Sequence, residues 1–360
     1  MKMKKIILIS SLLIAVTLIT SCTKGSKDQQ GNGLTIAVEQ SDNPVLSFKD
    51  VTEKFVELVL HEPDSDPLGT VNKVLVSESK IFVLDSYKSK SLFVFDSKGV
   101  FQHKIGGMGQ ADGEFINPDD FAVDNHHNEV IILDRNKQQL LFYNMTGAYL
   151  RKIYLGKYVN SFTLYGTDKI LLDRGNIAGN DTGMALEVIQ RDNGEKLVSF
   201  FPVEDYKKDL TFSPMIPLFH YDDSEVLYLP SMSNEVYYIE NDTAYTKYRF
   251  DFAGKWASND YLKSVSNTSP TDILKKIFDD NYVLFPNILE TKKYVYLDYY
   301  SDLETKCHAY YDKTTGKFHP FEIGREFAGD FSVIGISNDS FITATSTEEG
   351  NTKLLFFSFK

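Results

Sequence analysis

Cysteine is scarce in this chain of 360 residues, with only Cys22 and Cys307 present. So few cysteines provide no Cys-based metal site, and lipidation of Cys22, argued below, would leave Cys307 without a disulfide partner in the chain. Cys307 lies in an alternating strand pattern, where a free thiol behaves as a small hydrophobic side chain. The fold must therefore be held together by packing and hydrogen bonds.

Positive charge is also in deficit, since 38 Lys and Arg residues face 50 Asp and Glu residues, for a formal net charge of -12. Binding to nucleic acid or to anionic lipid needs a positively charged surface that matches the phosphates. The composition therefore argues against a nucleic-acid partner and against electrostatic docking on a membrane.

Familiar catalytic motifs are missing from the sequence. It contains no Gly-x-Ser-x-Gly turn and no Cys–His pair in a nucleophile context, and none of its seven histidines forms a His-x-x-x-His pair. The glycine-rich segment 106–113 contains no lysine and precedes a strand rather than a helix, so we interpret it as a turn between repeats and not as a phosphate loop. The sequence predicts no catalytic residue, no bound metal and no cofactor.

Only one long apolar to weakly polar run occurs, at Ile6–Ile19, and it follows the positive residues Lys2, Lys4 and Lys5. A positive segment, a short apolar run and small residues before a processing site are typical of a cleaved signal peptide. The run is also too short to span a bilayer comfortably. It ends close to Cys22, and this ending resembles the lipobox of bacterial lipoproteins.

That resemblance implies cleavage of residues 1–21 and lipidation of Cys22, although an ordinary secretory signal with a coincidental cysteine is the alternative. Thr23 follows the cysteine, which by the same resemblance implies sorting to the outer membrane. Residues 22–47 begin with a polar, glycine-rich stretch, and we expect them to form a flexible tether. Whether the domain faces the periplasm or the cell surface stays open.

The sequence does contain a repeat of predicted strands, with six copies. An apolar strand ends near an Asp, a polar gap follows, and then come a second strand, a turn and a third strand. The clearest copies occupy residues 80–105 and 129–153. A long repeat made only of strands is typical of a β-propeller. We predict an all-β, six-bladed propeller over residues 48–360.

The sixth copy lacks a final strand, which the N-terminal segment can supply. Pairing residues 55–60 with residues 354–359 would close the ring and remove two exposed sheet edges. Residues 253–281 interrupt the strand pattern between the fourth and fifth blades. There, Ser269 and Pro270 precede apolar residues spaced for one helical face, which predicts a short amphipathic helix.

Residues 106–115 and 117–124 resemble the opening of an NHL repeat, in which a glycine-rich turn and Glu-Phe lead to a first strand that begins near a proline. The chain from about residue 48 to residue 360 resembles the Bacteroidetes family of six-bladed β-propeller lipoproteins. This resemblance implies the fold and a location in the cell envelope, and it implies little about chemistry.

An Asp ends several of the predicted second strands, at Asp85, Asp134, Asp173 and Asp298. Carboxylates at one end of a propeller could gather a hard cation such as calcium. Members of a repeat usually share a structural task, however, such as an Asx-turn that caps the strand. We favour the structural role.

Ligand contact is more plausibly made by the loops that join second to third strands and one blade to the next. Arginine and tyrosine around a channel mouth would suit a polar or anionic ligand, or a sugar stacked on a ring. The alternative is that these are ordinary solvated loop residues. The candidate ligand-binding residues are Tyr87, Lys88, Arg135, Arg174, Asn176, Tyr299 and Tyr300.

These observations predict a lipid-anchored envelope propeller that binds an unknown small molecule, glycan or protein, with nutrient capture as one such role. Its contact with the membrane would be made through the lipid anchor alone. The alternative function is a metal-dependent propeller enzyme of the lactonase or lyase type, which would need acids or histidines that converge in the channel.

The closure hypothesis makes a testable prediction about truncation. Deleting residues 23–60 should lower the melting temperature of the whole domain, because it removes the strand that closes the ring. Deleting residues 23–33 should leave the melting temperature unchanged. Equal melting temperatures for the two truncated proteins, measured by calorimetry, would contradict ring closure by the N-terminal strand.

Overall fold

Alternating apolar side chains organise this chain into antiparallel sheets, as seen in a computed structural model. The structure describes residues 33–38, 45–63, 65, 67–176, 183–208, 210, 212–220, 225–324, 327 and 331–360. The predicted signal peptide and the lipidation site Cys22 lie outside these residues. Within the described ranges, no helix has the length and apolar character needed to cross a membrane.

Three strands and one short helix precede the first blade. They are β1 (Leu34–Ala37), β2 (Leu46–Ser47), α1 (Phe48–Val51) and β3 (Thr52–Val59).

Blades 1 to 3 are four-stranded sheets whose strands follow one another in the chain. Blade 1 contains β4 (Lys73–Ser77), β5 (Lys80–Asp85), β6 (Ser91–Asp96) and β7 (Phe101–Ile105). The small strands β8 (Gly107–Met108) and β9 (Glu114–Phe115) lead to blade 2, with β10 (Asp120–Asp124), β11 (Glu129–Asp134), β12 (Gln139–Asn144) and β13 (Tyr149–Tyr154). Blade 3 contains β14 (Ser161–Tyr165), β15 (Lys169–Asp173), β16 (Met184–Gln190) and β17 (Lys196–Pro202), and a 3-10 turn, Asp205–Lys207, follows it.

Blades 4 to 6 complete the ring, and two helices separate blade 4 from blade 5. Blade 4 contains β18 (Leu218–His220), β19 (Val226–Tyr228), β20 (Glu235–Glu240) and β21 (Thr243–Asp251), followed by α2 (Asn259–Val265) and α3 (Pro270–Asp279). Blade 5 contains β22 (Leu284–Glu290), β23 (Tyr294–Tyr300), β24 (Lys306–Asp312) and β25 (Lys317–Glu322). Blade 6 contains β26 (Gly335–Ser337), β27 (Ser340–Ser346) and β28 (Thr352–Phe359).

The fourth strand of blade 6 is β3, from the other end of the chain. It pairs antiparallel with β28 in a register that places Phe55 opposite Phe357 and Leu58 opposite Leu354. The predicted six-bladed propeller and its closure by an N-terminal strand are both confirmed. Closure gives β28 a partner on each side, so the last blade has no unpaired edge at this strand.

The N-terminal segment is more ordered than the sequence indicates. β1 lies parallel to β21 as a fifth strand of blade 4, and β2 lies parallel to β25 as a fifth strand of blade 5. Residues 34–37 and 46–47, which we expected in the tether, therefore form strands. The physical reason is burial: Ile36 is only 1% exposed and packs into the apolar cluster beside blade 4.

The hydrophobic core is divided into clusters that lie between neighbouring blades, and the largest lies among blades 4, 5 and 6. Phe48 of α1 is buried in this cluster, with its ring 4.8 Å from that of Phe357 and 5.1 Å from that of Phe331. Such aromatic packing between blades accounts for much of the aromatic content.

The predicted helix is present as α3 and begins as expected. The Ser269 hydroxyl accepts a hydrogen bond from the backbone N–H of Asp272 at 3.2 Å, and Pro270 occupies the first turn. Ile273 and Ile277 are fully buried. The preceding helix α2 was not predicted, although Ser258 caps it in the same way.

The glycine-rich turn before blade 2 is structural. β8 and β9 pair in parallel within it, and the Lys137 ammonium donates to the carbonyl oxygens of Gly109 and Glu114 at 3.0 and 2.9 Å. A phosphate loop presents backbone N–H groups to its ligand, whereas these carbonyls are bound by a lysine. The geometry confirms that this segment is a turn between blades.

Candidate functional site

A cavity of about 750 Å³ opens at the propeller axis, on the face formed by the loops that we expected to bind a ligand. Residues from all six blades line it, together with Phe278 from helix α3. Its volume is within the range of about 300–1,000 Å³ that is usual for small-molecule sites.

The floor of the cavity is built by residues at the start of the innermost strands. Lys73, Asp120 and Ser161 are the first residues of β4, β10 and β14. Asn287 lies inside β22 rather than at its start, and it pairs in register with Asp298 of β23 as Ser161 pairs with Asp173. Because innermost strands converge on the axis, their first residues face one another across the cavity.

A carboxylate at the floor connects three blades. The Lys73 ammonium lies 2.7 Å from Asp120 Oδ1 and also donates to the Phe121 carbonyl at 2.9 Å. On the other side, the Ser161 hydroxyl donates to Asp120 Oδ2 at 2.6 Å, and the Phe162 N–H donates to it at 3.1 Å. Asp120 is 6% exposed, so this ionic contact is largely shielded from water.

A second pair of opposite charges lies on the blade 2 wall. Arg135 Nε donates to the Asn160 carbonyl at 2.9 Å, and its guanidinium is 3.9 Å from Asp119 Oδ1. Asp119 also accepts the backbone N–H of Arg135 at 2.8 Å. Burial raises the pKa of Asp119, with these contacts to Arg135 opposing the shift. The Tyr158 ring flanks the guanidinium at 6.0 Å.

The third pair belongs to blade 5. Lys306 Nζ is 3.5 Å from Asp298 Oδ2 and donates to the Ser332 hydroxyl at 2.8 Å, which connects blades 5 and 6. Asp298 is buried, and burial raises its pKa while Lys306 opposes that shift.

Behind Asp298 lies a buried chain of hydrogen-bonded polar side chains. The Tyr296 hydroxyl is 2.8 Å from Asp298 Oδ2 and 2.9 Å from His308 Nδ1. Burial, with the positive charge of Lys306 in second place, lowers the pKa of His308 to about 3. His308 is therefore neutral at ordinary pH, and its ring packs against Phe331 in the core.

Asn287 is a buried amide of the floor that lies beside Asp298. It is only 5% exposed, and neither its Oδ1 nor its Nδ2 makes a hydrogen bond of ordinary geometry. Its amide lies close enough to Asp298 to help lower the pKa of that carboxyl against the effect of burial. Buried amides in folded proteins are usually hydrogen-bonded, and Asp298 is the partner beside this one.

The rim of the cavity is apolar and exposed, in contrast to the polar floor. Tyr87 is 75% exposed, Leu303 is 64% exposed and Met215 is 53% exposed, and all three line the opening. Large apolar side chains exposed around a concave site are typical of a surface that receives a ligand.

Three of the predicted ligand-binding residues line this cavity, namely Tyr87, Arg135 and Tyr300. Lys88 is not among the lining residues, because its side chain packs across Gly69. Tyr299 is 6% exposed and packs on Phe252. It neighbours Tyr300 on β23, and successive strand residues point to opposite faces.

Arg174 and Asn176, also predicted as ligand contacts, are buried and do not line this cavity. Arg174 is 5% exposed and forms an ion pair with Glu187, and it donates to the carbonyls of Lys157 and Tyr158 at 3.2 Å. Asn176 is 5% exposed and donates to the Ser231 carbonyl at 3.4 Å. Part of the loop after Asn176 falls outside the described residues.

The repeated Asp has the predicted structural role in three blades. Asp85 accepts backbone N–H groups from Lys88, Ser89 and Gly69 at 2.8–3.0 Å. Burial opposes ionisation of Asp85, but these donors outweigh it and lower its pKa. Asp134 and Asp173 likewise cap the turns that follow them. Asp298 differs, because its oxygens contact side chains and it lines the cavity.

The sequence analysis missed the residues at the start of the innermost strands. A signal was present: each residue is paired in register with the end of the second strand, as Lys73 is with Leu84 and Ser161 with Asp173. Counting back from the recurring Asp would have located these positions. Phe278 and Met215 carried no such signal, since they reach the cavity from outside the repeat.

The described residues include no group of three His, Cys, Asp or Glu side chains placed to hold a metal ion. The three acids of the cavity are instead each paired with a cation, at 2.7, 3.5 and 3.9 Å. This arrangement suits walls that are held in place by ion pairs, with polar and aromatic groups left to contact a ligand.

The chain belongs to the DUF5128 family, described as 6-bladed beta-propeller, which matches residues 26–328. Two similar solved structures share the fold. One, from Bacteroides fragilis and named as a suspected exported protein, is 20% identical with a TM-score of 0.77, covering 91% of this chain and 99% of its own. The other, a member of the DUF4221 family from Bacteroides vulgatus, is 12% identical with a TM-score of 0.57, covering 86% and 97%. A search of curated proteins found no match.

The buried, neutral His308 predicts that part of the folding stability is lost at acidic pH. His308 has a pKa of about 3 in the folded protein and about 6.5 when unfolded. As pH falls below about 6.5, the unfolded chain takes up a proton that folded His308 does not, so folding stability is lost down to about pH 3. His308→Gln should remove this loss, which is on the order of a few kcal/mol.

The check is denaturant unfolding of both proteins over this pH range, with His319→Gln at a partly exposed histidine as the matched control. Asp298 affects the pH dependence of folding stability with the opposite sign, because its pKa is raised. It is present in every variant, so its contribution does not alter the comparison between them. If His308→Gln showed the same dependence on pH as the unmodified protein, a neutral His308 would be ruled out.

Proposed function

We propose that the protein is a lipid-anchored propeller of the cell envelope that binds a small polar molecule in the axial cavity. The observation that carries the proposal is the cavity itself, which is lined by residues from all six blades and combines a polar floor with an exposed rim of Tyr87, Leu303 and Met215. The polar groups would orient the ligand and the rim would cover it.

The fixed charges of the walls support binding over catalysis. Asp120 and Asp298 are held by Lys73 and Lys306, so neither carboxylate is directed at an empty point of the cavity. A metal-dependent lactonase or lyase would need acids or histidines that converge on one position. A preformed cavity whose walls are held by ion pairs and hydrogen bonds also limits the entropy lost when a ligand binds.

The envelope location rests on the N-terminal sequence. The positive segment, the apolar run Ile6–Ile19 and the lipobox-like ending at Cys22 together support export and lipidation. Because β1 begins at Leu34, only a short tether separates Cys22 from the first strand. The NHL-like opening of blade 2 supports membership of the envelope propellers that the sequence resembles. Capture of a nutrient is the role that best suits a binding protein located in the cell envelope.

Binding is tested with a matched pair of tyrosine variants. We expect at least one class among neutral saccharides, acidic saccharides and dipeptides to raise the melting temperature, since a ligand of the folded state stabilises it. Tyr87→Ala should weaken the affinity measured by calorimetry by a factor corresponding to about 1 kcal/mol. Tyr154→Ala serves as the control, because Tyr154 is 72% exposed but lies on β13, away from the cavity.

Two results would contradict the binding proposal. One is that no class of probe binds, and the other is that Tyr87→Ala and Tyr154→Ala weaken binding equally.

Lipidation is tested separately in a bacterial host that processes lipoproteins. The full chain should incorporate a labelled fatty acid and sediment with membranes, because acyl chains provide the hydrophobic anchor. Cys22→Ser should abolish both the label and the sedimentation, whereas Cys307→Ser should retain them. Labelling of the Cys22→Ser variant would contradict the assignment of the anchor.

A further inference from the structure

The three cations that line the cavity differ in how fully their donors are used. Lys73 Nζ donates to a carboxylate and a backbone carbonyl, and Lys306 Nζ donates to a hydroxyl and a backbone carbonyl, all at 2.7–3.1 Å. The side chains of these lysines are only 16% and 14% exposed. The Arg135 side chain is 33% exposed, and the carboxylate paired with it, that of Asp119, is 3.9 Å away. This distance is too long for a hydrogen bond, so Arg135 is the cation that retains donors for a ligand.

The guanidinium of Arg135 is hydrogen-bonded along one edge. Its Nε and Nη2 both donate to the Asn160 carbonyl, Nε at 2.9 Å. A guanidinium has five N–H groups, and these two bonds use the two that lie on its Nε side. Within the described part of the chain, no group accepts a hydrogen bond from Nη1, and this atom is not buried. The end of the guanidinium, formed by Nη1 and the second N–H of Nη2, is therefore a fork of two parallel donors that can be reached from the cavity.

The surroundings of this fork hold it in one orientation. The Asn160 carbonyl fixes one edge of the guanidinium, and the Tyr158 ring lies 6.0 Å from its central carbon. Asp119 accepts the backbone N–H of Arg135 at Oδ2 and the Asn117 amide at Oδ1, both at 2.8 Å. The oxygens of Asp119 are thus bound to donors other than the guanidinium. A donor pair that is ordered before binding loses little conformational entropy when the ligand arrives.

A carboxylate is the group that best fits two parallel N–H donors of a guanidinium, because its two oxygens match them in spacing and plane. It would bind without displacing any hydrogen bond that Arg135 already makes. The negative charge of Asp119 offsets part of the attraction, so we expect the gain of charge-assisted hydrogen bonds and not that of an isolated ion pair. An anion that recruited Lys73 or Lys306 would instead deprive a buried acid of its counter-charge, which is strongly unfavourable.

An exposed aromatic ring lies on the neighbouring loop. Tyr87 is 75% exposed and lines the same cavity. The hydroxyl of the preceding residue, Ser86, donates to the Pro118 carbonyl at 2.7 Å, and Pro118 directly precedes Asp119. The loop that carries Tyr87 is therefore attached to the segment that contacts Arg135. An aromatic ring in this place can cover the apolar surface of a ligand whose polar group is bound nearby.

We infer that the ligand of this cavity carries a carboxylate, which accepts two parallel hydrogen bonds from Nη1 and Nη2 of Arg135 while the adjoining part of the ligand packs on Tyr87. This inference rests on the proposed binding function and narrows it to one chemical class. Arg135 is its specificity-determining residue. An acidic saccharide and the C-terminus of a peptide both supply a carboxylate, so the experiment tests these two sources in separate arms.

Each arm compares an acid with an uncharged counterpart on the unmodified protein, by titration calorimetry. The first pair is a disaccharide that contains a uronic acid and its methyl ester, and the second is an N-acetylated dipeptide and its C-terminal amide. In at least one arm the acid should bind at least about tenfold more tightly than its counterpart, which corresponds to about 1.4 kcal/mol. Added salt should weaken binding of the acid and leave that of the counterpart unchanged, since only the acid forms an ion pair.

Two substitutions of Arg135 separate its charge from its geometry. Arg135→Gln removes the charge and the fork, so it should abolish the preference for the acid. Arg135→Lys keeps the charge, and it should reduce the preference by about threefold or more because an ammonium lacks the planar fork. Arg249→Gln is the matched control and should retain the full preference, because Arg249 is 51% exposed on the outer strand β21, where it pairs with Glu235 away from the cavity.

The outcomes separate this inference from the proposed function. If the uncharged probe binds at least as tightly as its acid in both arms, and Tyr87→Ala weakens that binding, the cavity is a binding site but the inference is wrong. If Arg135→Gln retains the preference for the acid, or Arg135→Lys matches the unmodified protein, the role of the Arg135 fork is overturned. If no probe of any kind binds, both the function and the inference fail. The comparison of each acid with its counterpart needs no variant, so it remains decisive even if Arg135→Gln does not fold.

Discussion

Ring closure is the constraint on which the remaining structure depends, and it is made by pairing the two ends of the chain. β3 pairs along the whole of β28, and the segment before it adds fifth strands to blades 4 and 5. Phe48 fixes this segment in the core beside Phe357. Because all six blades must be in place for the innermost strands to face one another, the axial cavity exists only in the closed ring.

The cavity in turn depends on pairs of opposite charge that join neighbouring blades. Asp120 receives contacts from Lys73 of blade 1 and Ser161 of blade 3, and Lys306 connects Asp298 with Ser332 of blade 6. These buried contacts contribute more to the geometry of the cavity than to the free energy of folding, because desolvation of buried charges offsets much of their attraction. Together with the Arg135–Asp119 pair they leave the cavity lining with three cations and three acids.

The sequence predicted the structure well where the repeat was strong. It did not predict contacts made by residues outside the repeat or on another strand. The strands of blades 1 and 2, the closing strand and helix α3 follow from alternation, counting and capping, all of which are local or periodic signals. Of the predicted site residues, Tyr87, Arg135 and Tyr300 line the cavity. Arg174 lies away from the cavity, because it forms a buried ion pair with Glu187 on the next strand, which nothing in the sequence indicates.

By itself the sequence determined the number of blades, the means of closure and the face on which the loops converge, because a repeating pattern of apolar residues leaves few ways to bury them. Only the tertiary structure decided which loop residues reach the axis, that the charges of the cavity cancel, and that the Asn287 amide is buried beside Asp298. Those properties depend on side chains from different blades meeting at distances of 2.7–3.9 Å. Residues far apart in the chain acquire such distances only when the ring is complete.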